Sequence, residues 1–359
     1  MPLPTELPIS ISDLTRFVEA NLTSVGVPLR EAELAAEALV MTDAMGVFTH
    51  GTKLLVGYVR KLQGGGYRAV GQPRIEREGP GWAVVDGDST LGQVGSRFCV
   101  ELAVRKARQV GIAYVGLRNS GHIGAAGYHA VLAARQGFMA MVTGNDIPSV
   151  AAPGSRGPVL GSNPLAYAAP VPDGDPILLD IATAAVAGGK VYAAHQRGEP
   201  IPNTWLIGRD GQPTTDGSLY PNQAALAPMA GHKGYGMGLW CELLSGLIPG
   251  GHLTWQVGSW MFDPADRPSW HNAGFIVFDV QQIASPETYA RQLKQLIHEI
   301  HGVATAEGIP RVLLPGEREW SFYHQAQKQG IPLPPDVRQK LADCEALTQV
   351  RFVQTGTAG

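Results

Sequence analysis

The chain has 359 residues, 44% of them hydrophobic and 16% charged, so it can bury a large core, and its length suggests two domains. Its net charge of -3 comes from interspersed acids and bases with no basic block, which argues against nucleic acid as a partner. Cys99, Cys241 and Cys344 lie far apart with no C-x-x-C spacing, which argues against a disulfide framework and a cysteine zinc site; with no secretory pattern and no membrane-spanning run, a cytoplasmic protein is expected.

From Ser12 to about Gly65 the pattern is helical. Ser12 is placed to cap a helix over Asp13 to Leu22, and Pro28 to open a second through Arg30 to Leu39. A third is expected to begin near Thr49-His50-Gly51, carry Leu54, Leu55, Tyr58, Val59 and Leu62 on one face, and stop at Gly64-Gly65-Gly66.

From about Pro73 to Val280 the texture changes to short apolar, β-branched segments bounded by turns. They include Ala83 to Asp88, Ile112 to Leu117, Phe138 to Thr143, Ile177 to Asp180 and Gly274 to Asp279. Helical periodicity over Ser96 to Gln109, Gly127 to Gln136 and Gly234 to Leu247 predicts helices covering a mixed sheet. From Pro286 helix returns, with Tyr289, Leu293, Leu296, Ile297 and Ile300 on one face, then a proline-containing link and a last helix near Pro335 to Leu347. The fold class read from this order is α/β. Residues 1–72 and 285–359 are expected to form one helical domain from both termini, and 73–284 a central α/β domain.

Four glycine-dense turns carry the candidate chemistry. Just past the apolar run Ile112 to Leu117, Ser120-Gly121-His122-Ile123-Gly124 fixes an imidazole where backbone can approach a ligand and protons can exchange near neutral pH. A hydrogen-bonded loop histidine is the alternative. Thr49-His50-Gly51 sets a hydroxyl and an imidazole at a helix start, where exposed amides suit a carboxylate, unless Thr49 only caps the helix. Asp180, at the end of an apolar strand, can orient a histidine, hold a ribose hydroxyl or cap the next helix. Gly231-His232-Lys233-Gly234 suits a pyrophosphate or close helix packing.

Other patterns are missing. His298 and His301 lack a third ligand and an H-E-x-x-H context, so no metal is expected. No G-x-S-x-G elbow occurs, and Gly121 to Gly127 reads G-x-x-G-x-x-G, so a dinucleotide would not bind through a Rossmann fingerprint.

Six ordered motifs together resemble one family. They are Thr49-His50-Gly51, Ser120 to Tyr128, Pro158 to Pro164, Asp180-Ile181-Ala182-Thr183, His232 to Gly236, and Leu314-Pro315-Gly316-Glu317. The chain resembles, from about Leu14 to Leu347, the malate/L-lactate dehydrogenase family of NAD(P)-dependent oxidoreductases, which is unrelated to the Rossmann-type enzymes. The resemblance implies a homodimer, a helical domain from both termini, and a three-layer α/β/α domain on a mixed sheet that binds NAD or NADP. It implies that His122, Gly124, Asp180, Ile181, Ala182, Lys233, Gly234, Pro315, Gly316 and Glu317 contact the dinucleotide. It further implies that Thr49, His50 and His122 face the substrate, with either histidine as the acid/base.

One departure bears on substrate. The family's Ser-His-Gly-x-x-Arg ends here at Leu54, so the guanidinium expected to clamp a carboxylate is absent, and Gly121 opens space beside His122. The expected activity is hydride transfer to or from C2 of a small 2-oxo acid, 2-hydroxy acid or cyclic 2-imino acid, with no nucleic-acid or membrane partner. A catalytically silent dinucleotide-binding or sensor protein on the same fold is the alternative.

Overall fold

In the computed structural model, which describes residues 7–353, Ser10 rather than Ser12 starts the first helix. Ser10 has extended backbone and accepts the Asp13 amide on its hydroxyl at 3.0 Å, so α1 spans Ile11–Ser24. Pro28 is the cap of α2 (Leu29–Ala44), which runs one turn beyond the expected end because its apolar face continues through Val40, Met41 and Ala44. A 3-10 turn, Thr52–Leu54, precedes α3 (Leu55–Gly64), and Gly65 in the left-handed region ends it. Thr49 caps nothing; its hydroxyl lies 2.9 Å from His50 Nδ1.

The central elements are, in chain order, β1 (Arg74–Gly79), β2 (Trp82–Asp86), α4 (Gly92–Val110), β3 (Ile112–Ser120), α5 (Ala126–Ala134) and β4 (Phe138–Gly144). Next come β5 (Val150–Ala151), β6 (Pro158–Leu160), β7 (Leu165–Ala169), β8 (Ile177–Ile181), α6 (Gly188–Gln196), β9 (Leu206–Gly208), β10 (Pro213–Thr214) and β11 (Ala224–Leu226). The chain continues with α7 (His232–Glu242), β12 (His271–Asp279), α8 (Val280–Ile283), α9 (Pro286–His301), α10 (Glu317–Gln329) and α11 (Pro335–Thr348).

Seven strands form one mixed sheet in the order β1-β2-β3-β12-β4-β7-β8, with β2 and β3 parallel and the other neighbours antiparallel. A second, smaller mixed sheet runs β10-β9-β11-β5-β6. Alternation sets one face of the large sheet: Ala113, Val115 and Leu117, Phe275 and Val277, and Phe138, Ala140 and Val142 pack with residues of α4 and α5 in one core. Each larger side chain so buried contributes about 1.5–3 kcal/mol. Across the sheet, the Tyr114 hydroxyl donates to the Leu244 carbonyl at 2.6 Å, which seats the π-helical turn Leu243–Leu247 that prolongs α7.

A separate core joins α1, α2 and α3 to α11 through Leu14, Phe17, Leu39, Tyr58, Val337 and Leu341. Helix α9 lies outside it. Its Tyr289 hydroxyl donates to the Pro170 carbonyl at 2.9 Å, Leu293 is its one buried residue, and Leu296 is 49% exposed. The stretch expected as a plain link contains α10, whose polar sequence buries only Trp320 and Ala326 and so carries little periodicity. No helix among the described residues is long and apolar enough to cross a membrane.

Candidate active site

Antiparallel pairing fixes where the chemistry gathers. Because β12 runs opposite to both β3 and β4, its first residue, His271, stands beside Ser120 at the end of β3, and Ala273 stands beside Gly144 at the end of β4. His122 lies two residues beyond β3 and Asp146 two beyond β4. A bulge between His271 and Ala273 re-aims the start of β12.

His122 is the hub. Its Nδ1 meets the Tyr58 hydroxyl at 2.8 Å and the Gly124 amide at 3.3 Å, with Gly124 at a φ of 76°. The amide can only donate, so Nδ1 is the acceptor and the neutral ring carries its hydrogen on Nε2, which has no protein partner among the described residues. Gln93 donates to the Tyr58 oxygen at 3.3 Å, and the His122 amide donates to the Tyr67 hydroxyl at 3.0 Å. Four rings surround the imidazole: Trp260 stacked at 5.1 Å, His50 stacked at 6.0 Å, His271 edge-on at 5.4 Å and Tyr58 tilted at 6.2 Å.

Burial, then the neighbouring His271, pulls the His122 pKa down to about 3, against the opposing pull of the Asp146 carboxylate. Burial likewise holds His50 below the usual histidine range, opposed by Asp180 and Asp146. Asp146 behaves differently. Burial alone would raise it, yet the hydrogen bond from His271 at 3.1 Å, the electrostatic influence of His271 and His122 and the Ile147 amide at 2.8 Å hold it below the usual carboxylate range. The ring is therefore neutral near pH 7 beside an ionised acid.

The other predicted positions border this sheet end. Asp180 on β8 accepts the Gly127 amide at 2.7 Å, at the start of α5, so it does not cap the next helix in the chain. Gly316, at a φ of 92°, packs so tightly that a Cβ there would lie 2.8 Å from Leu178 Cβ, and the Leu178 amide donates to the Pro315 carbonyl at 3.0 Å. The Pro315-Gly316-Glu317 turn is thereby docked on β8 two residues from Asp180. The Met229 amide donates to the Thr183 carbonyl at 2.9 Å, which brings the start of α7 to the end of the same strand. There Lys233 is exposed and forms no ion pair among the described residues, and no side chain caps the helix. Ile181 is half-buried and Ala182 exposed on the same segment.

The family model described as malate/L-lactate dehydrogenase matches residues 9–342. The chain belongs to the malate/L-lactate dehydrogenase family. It is 36% identical over 335 residues to the malate dehydrogenase of Pyrococcus horikoshii, covering 91% of this chain and 92% of that one. The solved structure of that enzyme superposes with a TM-score of 0.87 at 33% identity, covering 98% of this chain and 99% of that one. It is also 35% identical over 336 residues to the ureidoglycolate dehydrogenase (NAD(+)) of Escherichia coli, with 93% and 94% coverage. To the Delta(1)-pyrroline-2-carboxylate/Delta(1)-piperideine-2-carboxylate reductase of Pseudomonas putida it is 30% identical over 339 residues, with 94% and 97% coverage. As a malate/L-lactate dehydrogenase family member it is an oxidoreductase.

Several groups of this family member's site carry no glycine-dense signal. Tyr58 reads as helix core because an aromatic residue at helical spacing normally is core. Tyr67, Trp260 and Ser269 sit in loops with no chemical pattern. Asp146, in a polar turn directly after a strand, has the placement that singles out His122, and His271 directly precedes one; those two were findable from strand ends alone.

Proposed function

We propose that the protein moves hydride between a nicotinamide dinucleotide and C2 of a small 2-oxo acid, 2-hydroxy acid or cyclic 2-imino acid, with His122 as the acid/base. The observation that carries this reading is the His122 ring, held on Nδ1 by Tyr58 and Gly124 with Nε2 left for a ligand. Turnover uses the imidazolium and the tautomer opposite to the resting one: in reduction the imidazolium gives its Nε2 proton to the oxygen or nitrogen on C2 and keeps its other proton on Nδ1, toward the Tyr58 oxygen; in oxidation Nε2 takes that proton back, and the Asp146 carboxylate favours the charged ring so formed. His50, paired with Thr49, borders the same space, and Thr49 orients the substrate.

The residues present fit a dinucleotide. The first-turn amides of α7 have no side-chain cap, Lys233 stands beside them unpaired among the described residues, and a Cβ on Gly231 or Gly236 would meet nothing within 4 Å. Lys233 and Gly234 would hold the phosphates, with Asp180, Ile181, Ala182, Gly124 and the Pro315-Gly316-Glu317 turn on the rest of an NAD or NADP molecule. The bound cofactor supplies or accepts the hydride.

In this reading residues 73–284 are the dinucleotide-binding domain, three-layered α/β/α and not Rossmann, and residues 1–72 and 285–359 the helical one. The core that α1, α2 and α3 share with α11 supports it. A homodimer is supported by Trp240, Leu247, Ile248, Trp255, Met261 and Phe262, all large apolar side chains left exposed along one stretch of chain. The test is a panel of lactate, malate, pyruvate, oxaloacetate and phenylpyruvate, with and without methylamine or ammonia to form imines, followed by NADH or NADPH absorbance. Turnover with one member is expected. Cofactor binding without turnover on any of them would establish the silent dinucleotide-binding alternative.

A further inference from the structure

Buried behind the candidate acid/base is a chain of polar contacts that starts at a carboxylate and returns to the histidine's own backbone. His271 Nε2 lies 3.1 Å from Asp146 Oδ1, and its Nδ1 lies 2.9 Å from Ser269 Oγ. Ser269 Oγ lies 3.0 Å from the Tyr67 hydroxyl, which accepts the His122 amide at 3.0 Å. His271 is 2% exposed, Ser269 1% and Tyr67 1%, so none of the three offers a surface to substrate. All their polar atoms are nevertheless satisfied, and the ring edge of His271 faces the ring of His122 at 5.4 Å.

We propose that His271 is a positioning residue for the reaction: through Asp146 on one nitrogen and the Ser269–Tyr67 pair on the other, it fixes both the carboxylate beside His122 and the backbone that carries His122. This rests on the reading of His122 as the acid/base. The geometry explains how one imidazole does both. Asp146 Oδ1 accepts from His271 and from the Ile147 amide, which pins the carboxylate and leaves Oδ2 with no protein partner among the described residues. The Asp146 side chain remains 28% exposed while His271 is sealed, so the carboxylate faces the site and its anchor does not. With Asp146 as its acceptor, His271 donates from Nε2, and Nδ1 then accepts the Ser269 hydroxyl, so a single neutral tautomer satisfies the chain. A donor to the charged form of a carboxylate favours that form.

The titratable groups that face Asp146 are His271 from β12, His122 from the turn after β3, His50 from the turn after α2, Tyr58 on α3, Tyr67 after it, and Tyr220. None of them is a lysine or arginine. Removing the His271 donor therefore leaves the carboxylate without its nearest compensating partner, and its protonation moves to higher pH.

The experiment compares full-length wild type with His271→Leu and His271→Gln, using the panel acid of highest turnover and the pH dependence of kcat/KM for oxidation. His271→Leu should lower kcat by up to about 10²-fold, as loss of reacting-group alignment does, and move the acid limb up by roughly 1 pH unit or more, with cofactor affinity within about twofold. His271→Gln keeps a neutral donor toward Asp146 and should restore most of kcat and the wild-type limb. A folded His271→Leu enzyme with wild-type kcat and limb overturns the proposal, and so does a folded His271→Gln enzyme as impaired as His271→Leu. If His271→Leu does not fold, Ser269→Ala, which releases only Nδ1, is measured the same way and must lower kcat. A second arm needs no turnover: in nitrogen-15 histidine spectra, a slowly exchanging imidazole N–H, assigned by its loss in His271→Gln, should persist in His122→Gln and vanish in Asp146→Ala. Its survival in Asp146→Ala overturns the proposal, whatever becomes of the acid/base reading.

Discussion

Tyr58, on helix α3, holds His122, in the turn after β3, across 64 residues of sequence: its hydroxyl is 2.8 Å from Nδ1. Burial raises the Tyr58 pKa well above that of free tyrosine, so the group is a neutral hydroxyl at every working pH. A helix of the terminal core is thereby tied to the ring at the end of the large sheet.

That tie orders the histidine variants. General acid/base groups typically contribute 10²–10⁴-fold to rate. His122→Gln should lower kcat by about that factor with cofactor affinity retained, and Tyr58→Phe, which keeps the packing and removes the hydroxyl, should lower it by less. His50→Gln decides between the two rings: it should cost less than His122→Gln. Near-normal turnover in both histidine variants at saturating substrate sinks the mechanism.

Cofactor binding tests a different part of the surface. Lys233 is exposed at the uncapped start of α7 and contributes nothing to a core, so Lys233→Ala should weaken NAD(P)H binding with little change in Tm. An unchanged dissociation constant in a fluorescence titration removes Lys233 from the site.

Much of this was legible in the sequence where side-chain pattern and local structure agree. The short apolar runs Ile112 to Leu117 and Phe138 to Thr143, bounded by turns, indicate strands, and the glycines around His122 indicate a turn where backbone is exposed. Contacts across the fold were not legible. Nothing local says that Tyr58 reaches His122 or that His271 reaches Asp146, since the first depends on where α3 packs against the sheet end and the second on which strands pair and in what register. Helix α10 escaped for the opposite reason: only Trp320 and Ala326 are buried, so the pattern that reveals a helix is nearly absent.

Stability should depend on pH through a histidine outside the chemistry. His129 is fully buried, its Nε2 donates to the Ile123 carbonyl at 2.9 Å, and burial pulls its pKa down to about 4. Between that value and the ordinary histidine range near 6.5, the unfolded chain binds a proton that the folded chain does not. Stability therefore rises with pH across this window and is lost as pH falls through it. His129→Gln, which keeps an amide donor for Ile123, should flatten the fall in Tm between about pH 6.5 and 4. Equal slopes for the two proteins would show that His129 is not the source.

Leu54 bears on substrate choice. It is 6% exposed and packs in the apolar cluster that holds Tyr58 and Trp260, while the adjacent cation, Lys53, is committed to Asp336 at 2.6 Å. Neither position offers the paired N–H donors with which a guanidinium grips a carboxylate. A dicarboxylic substrate has the greatest need of such a donor, and an apolar group at C3 has none. Malate and oxaloacetate should therefore be poor substrates compared with acids carrying an apolar C3 substituent, such as phenylpyruvate. Leu54→Arg should raise kcat/KM for oxaloacetate relative to phenylpyruvate, provided circular dichroism shows the variant folded, since a charge placed in an apolar cluster carries a desolvation cost. A wild-type enzyme already fastest on malate and oxaloacetate would mean that another group holds the second carboxylate.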